Sequence, residues 1–216
     1  MAGNKSPESA AIRLSLYLRH LRKMKKERVI SSEELARFIG TSGARVRKDL
    51  CYFGQFGTTG KGYLVRELQE VISKILGLNR VWDIAMVGVG KLGSALLGYD
   101  GFRKSGFNIR IGFDVKSNII GKKIVGVPVY HPYQIPKMIR EQKIRMGIVA
   151  VPAKAAQESI DLLVISGVEA ILNFSPIAVV APSYVKLMQA DLTNQLEIMS
   201  YSIINKAKKE TQARIS

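Results

Sequence analysis

The stretch from Ile84 to Gly93, IAMVGVGKLG, constrains the fold of this chain more than any other. Its first four residues predict a short buried strand, and a G-x-G-x-x-G motif then runs into helix-forming residues. In such a turn Gly88 permits the sharp bend, Gly90 lets the backbone approach a pyrophosphate, and Gly93 lets the helix lie against the strand. The free N–H groups at the start of that helix face the phosphates. The loop residues that we predict to bind a dinucleotide are Gly88, Val89, Gly90, Lys91, Leu92 and Gly93.

Asp114 supports this interpretation of the glycines. It ends a second apolar strand, 109–114, and lies 21 residues after Gly93, where the dinucleotide fingerprint has an acid for the ribose hydroxyls. The alternative is that the glycines make an ordinary strand-to-helix turn, which would not require a correctly spaced acid. The two halves together predict a dinucleotide site.

Strands and helices alternate throughout the second part of the chain. Continuous apolar runs, typical of parallel strands covered on both faces, lie at 81–87, 109–114, 146–151 and 168–173. Helical segments lie between them at about 91–104, 135–142 and 153–166. This order predicts an α/β fold, a Rossmann-type doubly wound parallel sheet with right-handed crossovers. Two strand ends should line a nicotinamide pocket beside the glycine loop, although either is also explained as a loop closed by proline; their residues are Val151, Pro152, Ala153, Asn173, Phe174 and Pro176.

The charge of the chain points to a second kind of ligand. Lys and Arg number 33 against 17 Asp and Glu, a net charge of +16, which is unusual for an enzyme of small molecules and favours a polyanionic partner. Residues 1–79 hold 15 of these cations and 7 of these acids, so positive charge is densest there. A basic run at 19–28 has two interpretations, a solvated helix face or a DNA contact.

The single cysteine and the lack of long apolar runs indicate the compartment. Cys51 excludes an internal disulfide and fits a reducing cytosol. No segment resembles a signal peptide, and none approaches the ~18 apolar residues of a membrane span. We therefore expect a cytoplasmic protein without a membrane partner.

Two helices with a very short turn between them follow the basic run. Ser31 and Glu34 form a capping box for a helix that should end at Gly40, and Ser42 can cap the next helix, 43–53. Such a pair matches a helix-turn-helix, whose second helix can enter a major groove. The polar side of that second helix carries Arg45, Arg47, Lys48 and Tyr52.

The ten residues that follow favour DNA binding. The alternative for 43–53 is an exposed amphipathic helix in which Arg45 pairs with Asp49 at i, i+4. Residues 54–63, however, include four glycines between aromatic residues, which predicts a hairpin, or wing. Its tip near Lys61 can lie on a phosphate backbone or enter a minor groove. A winged helix is therefore expected.

The remaining segments complete the predicted domains. A helix over 64–76 ends at Gly77, and 77–80 is a plausible linker. After Asp191, a good cap, a helix over about 192–206 has one apolar stripe, formed by Leu192, Leu196, Met199 and Ile203. Such a stripe usually packs on its own domain, and a dimer contact is the other possibility, because the faces of the sheet already have helices. The predicted domains are 1–79, a winged helix; 80–190, a Rossmann domain; and 191–216, a helix and tail.

These motifs together resemble one family. The segments RVRKDLCYFGQFGTTGKGY, VGVGKLGSALLGYDGF, GFDV, GVPVY, VAVPA, ILNFSP and ADLTNQLEIMSY are similar, in that order, to the Rex family of bacterial redox-sensing transcriptional repressors. The resemblance implies a homodimer whose winged helices bind an inverted-repeat operator and whose Rossmann domains bind NADH or NAD+. It also implies C-terminal helices exchanged between subunits. NADH would release the DNA, so that genes for NADH reoxidation and fermentation are expressed.

The resemblance also implies roles for particular residues. Asp114 would hold the adenosine ribose. The switch would join Tyr99 to Asp191 of the exchanged helix and to Arg13 of the first helix. The residues that would contact bases or phosphates are Arg45, Arg47, Lys48, Tyr52, Lys61 and Tyr63.

Three positions depart from the family pattern. Lys91 stands where asparagine is common, Cys51 where serine is common, and Lys116 where a further acid is frequent. Lys116 matters most, because a cation near the ribose acid can soften discrimination against the 2′-phosphate of NADP. We still expect NAD(H), since Asp114 would repel that phosphate.

The switch has a physical basis in the charge of the nicotinamide. The oxidised ring is cationic, so a dry pocket of Pro152, Phe174 and Tyr99 should prefer the neutral, reduced ring. A ligand shifts a two-state equilibrium only by its differential affinity, and one ring charge supplies that difference. A dimer must place its two recognition helices about 34 Å apart, or a multiple of it. Rotation about 77–80 would spoil that spacing.

Two other functional classes fit less well. A small NAD-dependent dehydrogenase needs an acid or base, and only His20 and His131 are available, the first expected at the surface and the second in a turn. Tyr133 and Lys137 form a Y-x-x-x-K pair, but Pro136 should disrupt the helix that would align them. An oxidation sensor based on Cys51 is also weak, because a cysteine in a recognition helix is more often packed than reactive. We expect neither catalytic residues nor a metal site.

Overall fold

The computed structural model describes residues 7–54, 56 and 61–215, with side chains described between 8 and 205. The chain forms two compact units, Met1–Val81 and Trp82–Ser216, and their division lies next to the predicted linker at 77–80. None of the described helices combines the length and the apolar content that crossing a bilayer requires.

The first unit is a small helical domain with one short antiparallel strand pair. Its elements are α1 (Pro7–Leu21), β1 (Val29–Ile30), α2 (Ser32–Ile39), α3 (Gly43–Phe53), β2 (Tyr63–Leu64) and α4 (Val65–Ile75). The hydroxyl of Ser31 accepts the Glu34 N–H at 3.0 Å, and α2 ends at Gly40 in the left-handed conformation. The hydroxyl of Ser42 accepts the Arg45 N–H at 3.2 Å and caps α3. The Ser31 and Ser42 side chains thus cap their helices as predicted, but the Glu34 carboxylate pairs with Arg28 instead of completing the predicted capping box. α2 and α3 form a helix-turn-helix.

The core of this unit is built from the inner faces of α1 to α4. Val46 and Leu50 turn one face of α3 inward, and Phe53 packs at the edge of the same cluster. Burial of this face leaves the cationic face of α3 directed away from the core.

The predicted wing lies partly outside the described residues. Positions 55 and 57–60, which include most of the proposed tip, are not described. In the described part, β2 pairs antiparallel with β1, with Ile30 opposite Tyr63. Gly62 leads into β2 with φ +81°, and a Cβ there would lie 2.7 Å from the carbonyl oxygen of Ile30. Only glycine fits this approach without strain.

The second unit is an α/β domain around a seven-stranded sheet. Its first half comprises β3 (Trp82–Val87), α5 (Lys91–Leu97), α6 (Asp100–Lys104), β4 (Phe107–Phe113), β5 (Lys123–Ile124) and β6 (Val127–Tyr130). A 3-10 turn (Pro132–Gln134) and α7 (Ile135–Gln142), β7 (Met146–Val149), α8 (Ala153–Ile165), β8 (Ala170–Asn173), β9 (Lys186–Gln189) and α9 (Leu192–Ile215) follow. The strand order is β5-β6-β4-β3-β7-β8-β9, parallel except for the β5–β6 pair. The prediction of a Rossmann-type parallel sheet is confirmed.

Both faces of this sheet are covered. On β3, Ala85 and Val87 belong to one buried cluster and Met86 to the other, as alternation along a strand requires. The register between β3 and β4 shifts at Ala85, so Ile109 and Ile111, two positions apart, pack on opposite faces. This bulge sets the direction in which the end of β4 presents Asp114.

Candidate functional site

The glycine loop after β3 has the geometry that its spacing predicted. Gly88 has φ +92°, and a Cβ there would lie 2.5 Å from the carbonyl oxygen of Ala150, so the turn lies against the end of β7. A Cβ on Gly93 would collide with the carbonyl oxygen of Gly88. A Cβ on Gly90 would meet no described atom within 4 Å. Gly88 and Gly93 therefore serve internal packing, whereas the space beside Gly90 is open to a ligand.

Asp114 is bonded to this loop. Its side chain is buried, with Oδ2 accepting the Val89 N–H at 2.7 Å and Oδ1 accepting the Lys116 N–H at 2.9 Å. The carboxylate is thereby fixed in orientation, and each oxygen retains a second lone pair for a hydroxyl donor. The side chain of Val89 is buried in the core, so this residue offers a ligand only its backbone, while Lys91 and Leu92 are exposed.

The ends of β7, β8 and β9 are joined by a ring of side-chain hydrogen bonds. Asn173, fully buried, donates to Gln189 Oε1 at 2.8 Å and accepts the Ser175 N–H at 3.0 Å. Gln189 donates to the Ser175 carbonyl at 2.6 Å, and Ser175 Oγ donates to the Val151 carbonyl at 2.8 Å. Asn173 thus braces the wall from within. Sequence reasoning missed Gln189, because nothing local marks it as a partner of Asn173.

The other predicted wall residues surround this ring. Pro152 and Pro176 are exposed, and Ala153 and Phe174 are half-buried. Since β3, β4, β7 and β8 are parallel, their carboxyl ends lie at one edge of the sheet. The structure therefore brings the glycine loop, Asp114 and both wall segments together at that edge.

Tyr99 lies elsewhere in the same unit. Its ring is 59% exposed and packs edge-to-face on Phe102, with ring centroids 5.1 Å apart. It lines a small cavity with Phe107 and Asn108, which begin β4. Tyr99 is therefore at the amino end of the strands, and within one chain it does not join Phe174 at the carboxyl edge.

Asp191 connects the sheet to α9. Its Oδ1 accepts the Asn194 N–H at 3.0 Å, which is the predicted cap of the C-terminal helix. The neighbouring Ala190 N–H donates to the carbonyl oxygen of Asn173 at 2.8 Å. The cap of α9 is thus one residue from a backbone bond to the wall of the site.

The apolar stripe of α9 is uncovered in the single chain. The exposed large side chains of this helix are Leu192, Leu196, Ile198, Met199, Tyr201, Ile203 and Ile204, each between 54 and 70% accessible. Of the two possibilities for this stripe, packing on its own domain is not observed, because such packing would bury these side chains. A continuous apolar patch of this kind marks an interaction surface.

On α3, the predicted DNA-facing side chains differ in their contacts. Arg47 Nη1 donates to Ser32 Oγ at 2.7 Å and to Glu33 Oε1 at 2.5 Å. Within 8–54, 56 and 61–205, the side chains of Arg45 and Lys48 make no hydrogen bond or ion pair. Tyr52 is 53% exposed. The face is therefore cationic and accessible, with one arginine already bonded.

Asp49 is bonded to α1. Arg13 donates to its two oxygens from Nε at 2.5 Å and Nη2 at 2.7 Å, and the Tyr17 hydroxyl donates at 3.0 Å. Burial, reinforced by Asp49, raises the pKa of Tyr17, so the phenol remains a proton donor. The alternative pairing of Asp49 with Arg45 is thus not formed, and this buried cluster fixes α3 against α1. Sequence reasoning assigned Arg13 to the switch and missed this contact.

The described part of the wing contributes two of the predicted residues. Lys61 is exposed, and Tyr63 is half-buried in β2, where burial raises the pKa of its phenol. Both residues lie shortly after positions 57–60, which are not described.

Comparison with known proteins identifies the family. Two family models match, one described as a putative DNA-binding protein N-terminus over residues 5–51 and one as a CoA binding domain over residues 79–177. The redox-sensing transcriptional repressor Rex of Pelotomaculum thermopropionicum is 46% identical over 215 residues, which cover 99% of this chain and 100% of that protein. The chain belongs to the Rex family of redox-sensing transcriptional repressors.

Solved structures are similar over the same extent. A crystal structure of RSP in complex with β-NAD+ and operator DNA has a TM-score of 0.88 and 36% identity, covering 94% of this chain and 95% of that chain. RSP in complex with β-NADH has a TM-score of 0.83 and 35% identity, covering 94% and 96%. RSP is itself described as a Rex-family repressor.

Membership of the Rex family does not favour the dehydrogenase alternative, because the similar proteins are named as transcriptional repressors. The geometry agrees. Tyr133 precedes α7, which begins at Ile135, and Lys137 is paired with Glu141 at 4.0 Å, so no helix aligns the Tyr–Lys pair. His131 accepts the Tyr133 N–H in a turn, as expected.

Two further side chains complete the comparison with the predicted sites. His20, predicted at the surface, is half-buried and stacked on Phe38, with ring centroids 3.3 Å apart. Cys51 is exposed on α3. Among the residues that this Rex-family structure describes, no group of three or more His, Cys, Asp or Glu side chains is placed to hold a metal ion.

Proposed function

We propose that this Rex-family repressor binds NADH and NAD+ at the carboxyl edge of its sheet, and operator DNA through α3 and the wing. Replacement of NAD+ by NADH would release the DNA. The observation that carries the proposal is the bond from Val89 N–H to Asp114, which fixes a buried carboxylate beside the open space at Gly90. RSP, a similar protein, forms complexes with β-NAD+ and operator DNA and with β-NADH.

The dinucleotide would lie across the glycine loop. The pyrophosphate would approach Gly90, where no described side chain intervenes, and the adenosine ribose would donate to the free lone pairs of Asp114. A carboxylate at this position repels the 2′-phosphate of NADP. Lys116 is exposed and offers its backbone, not its ammonium group, to Asp114, so we favour NAD(H) over NADP(H).

The nicotinamide would lie between the two wall segments, Val151–Pro152–Ala153 and Asn173–Phe174 with Pro176. The ring of bonds through Asn173 holds these segments in place. Apolar surface from Pro152 and Phe174 solvates a cationic ring poorly, which favours the neutral ring of NADH. That difference in affinity is what biases the repressor between its two states.

DNA binding is assigned to the outer face of the first unit. Arg45, Arg47, Lys48 and Tyr52 share the accessible face of α3, and Lys61 and Tyr63 lie at the base of the wing. Buried contacts to Arg13 and Tyr17 hold α3 rigidly through Asp49. A preformed, cationic helix of this kind suits the major groove of an inverted-repeat operator.

The repressor is proposed to act as a homodimer through α9. The uncovered apolar side chains of α9 support a second copy as the partner, with the helices, 191–216, exchanged between subunits. Tyr99 and Asp191 belong to opposite edges of the sheet, so a switch contact between them would have to form between subunits. Arg13, engaged with Asp49 in one chain, would then couple that contact to α3. We place this dimer in the cytoplasm, where the operator is accessible.

The test is a gel shift with the purified full chain. The probe is a duplex selected by this protein from a random pool, titrated with NADH and NAD+ separately. We expect NADH, but not NAD+, to release the duplex. Retention of the duplex at saturating NADH would refute the proposed switch.

Asp114→Ala provides the control for the cofactor site. Loss of a hydrogen bond to a charged acceptor should weaken NADH binding roughly tenfold, or admit NADPH, without altering duplex affinity in the absence of cofactor. Calorimetry that finds neither change would remove Asp114 from the site.

A further inference from the structure

Arg47 is held differently from the other cations of α3. Its Nη1 donates to both Ser32 Oγ and Glu33 Oε1, and Ser32 Oγ also donates to Glu33 Oε2 at 3.1 Å. Ser32 is buried, so this one of the two acceptors of Arg47 is held in place by the core of the first unit. The guanidinium is thus bonded to the amino end of α2, fourteen residues earlier in the chain.

Gly43 makes room for the carboxylate. A Cβ on this residue, the first of α3, would lie 2.6 Å from Glu33 Oε1 and 2.9 Å from Glu33 Cδ. The carboxylate of Glu33 therefore lies across the first turn of α3. In a helix-turn-helix this is the turn that meets the base edges. A negative group in such a place repels the phosphate backbone, which makes it unfavourable for unselective binding.

The Nε and Nη2 donors of Arg47 remain available to a ligand. A guanidinium has five N–H donors, and Glu33 and Ser32 engage only those of Nη1. Within the described part of the chain, Nε and Nη2 of Arg47 make no hydrogen bond. These atoms form one of the two N–H pairs with which an arginine can bind guanine O6 and N7 in a major groove.

The ion pair between Arg47 and Glu33 contributes little to the stability of the fold. The side chains of Arg47 and Glu33 are 52% and 59% exposed, and exposed ion pairs contribute little to stability. The bond to Arg47 lowers the pKa of Glu33, so the carboxylate is charged at neutral pH. The negative charge of Glu33 thus reduces the attraction of Arg47 to phosphates. Loss of this ion pair would leave the fold intact.

We propose that Glu33 is a specificity-determining residue of the DNA-binding surface. By holding Nη1 of Arg47 it prevents this arginine from acting as a general phosphate contact and presents the Nε–Nη2 edge to a base. Arg45 and Lys48, which have no such partner among the described residues, supply the sequence-independent attraction. This inference rests on the proposed function, since it assumes that α3 contacts DNA.

The test compares Glu33→Gln with the wild-type full chain on two duplexes, one selected by the protein from a random pool and one of shuffled sequence. Glu33→Gln removes the negative charge that compensates Arg47, which adds about one cation available to phosphate, so affinity for the shuffled duplex should rise on the order of fivefold at 0.15 M salt. The salt slope for that duplex should steepen by about 0.9. Affinity for the selected duplex should not rise, so the ratio of the two affinities falls.

Glu34→Gln is the matched control. Glu34 lies in the same turn of α2 and is paired with Arg28, so its replacement removes the same charge without touching Arg47. Its affinity ratio should stay at the wild-type value. An equal fall in both variants, or an unchanged ratio in Glu33→Gln, would overturn the proposal.

Arg47→Ala separates this inference from the proposed function. In that background Glu33→Gln should have no further effect on the ratio, whereas a full effect there would refute the assigned pair. If Arg47→Ala retains wild-type affinity for the selected duplex, the assigned recognition face is wrong. If Arg47→Ala loses affinity and Glu33→Gln keeps its ratio, the recognition face stands and only the role of Glu33 is refuted. Equal thermal midpoints for wild type and Glu33→Gln confirm that the fold is unaffected.

Discussion

The carboxyl edge of the sheet and the C-terminal helix differ in how far one chain completes them. At the edge, Asp114 and Asn173 both find their hydrogen-bond partners within the same unit. Along α9, apolar side chains from Leu192 to Ile204 have no cover. A binding site for a small molecule is usually preformed in the free protein. A helix with an exposed apolar face, in contrast, is typical of a surface that binds another protein. The buried Asp49 cluster resembles the edge, because its partners are also supplied by one chain.

The largest expected effect is at α9. Truncation before Asp191 removes the whole uncovered stripe, and we expect complete loss of the dimer in sedimentation analysis. The truncated chain should retain the α/β signature of its circular dichroism spectrum, because the sheet does not depend on α9 for its core. A truncated protein that still sediments as a dimer would show that the apolar face of α9 is not the dimer contact.

The buried Asp49 cluster should give the next largest effect. Asp49→Ala leaves Arg13 and Tyr17 without their acceptor, and loss of one partner of a buried pair costs about 3–5 kcal/mol. We expect a lower free energy of unfolding for the first unit in urea, and weaker operator binding, with unchanged NADH affinity by calorimetry. Arg45→Ala is the control, because Arg45 does not bond Asp49 and should leave stability within ~0.5 kcal/mol.

The glycine loop offers a pair of substitutions that sharpens the comparison. Gly93→Ala places a methyl group against the carbonyl oxygen of Gly88 and should destabilise the second unit by about 1–3 kcal/mol. Gly90→Ala meets open space in the protein, so it should leave the thermal midpoint unchanged and lower NADH affinity alone. Thermal unfolding and calorimetry on both variants distinguish these outcomes. Equal effects of the two substitutions would mean that Gly90 does not face a ligand.

The smallest effect is a pH dependence at His20. Burial, with help from Lys23, lowers the pKa of His20 below its usual 6.5, so the unfolded chain binds its proton first as the pH falls. The contribution to stability is therefore full above pH 6.5 and is lost as the pH falls through the folded-state pKa. The thermal midpoint of the wild type should fall between pH 7.5 and pH 5.5. In His20→Asn this fall should be smaller by no more than a few degrees. Equal pH slopes for wild type and variant would argue against a lowered pKa of this half-buried imidazole.

Local signals in the sequence predicted the parts of the fold that local interactions determine. The caps at Ser31 and Ser42 and the stop at Gly40 depend on neighbours within four residues, and all three are present. The glycine loop was predictable because its spacing reflects backbone sterics. Strands β5, β6 and β9 were missed. β6 and β9 depend on pairing with β4 and β8, which lie at a distance along the chain, and β5 is only two residues long and pairs with β6 alone.

The partners of charged side chains were the least predictable feature. Arg13 and Asp49 are 36 residues apart, and Arg47 pairs with Glu33 across a turn, so only the packing of α1, α2 and α3 selects these pairs. The helix predicted over 91–104 is broken after Gly98, which turns Tyr99 toward the amino end of β4. The assigned roles of the DNA-binding, cofactor and switch residues stay predictions.

The backbone bond from Ala190 to Asn173 has a mechanical consequence. It ties the terminal residue of β8 to the peptide next to the first turn of α9, and hydrogen bonds of this kind tolerate only a few tenths of an ångström of stretch. A ligand that displaces the end of β8 by a larger distance must either move the start of α9 with it or break this hydrogen bond. In the proposed dimer, a ligand that moves the end of β8 would therefore also move the start of α9.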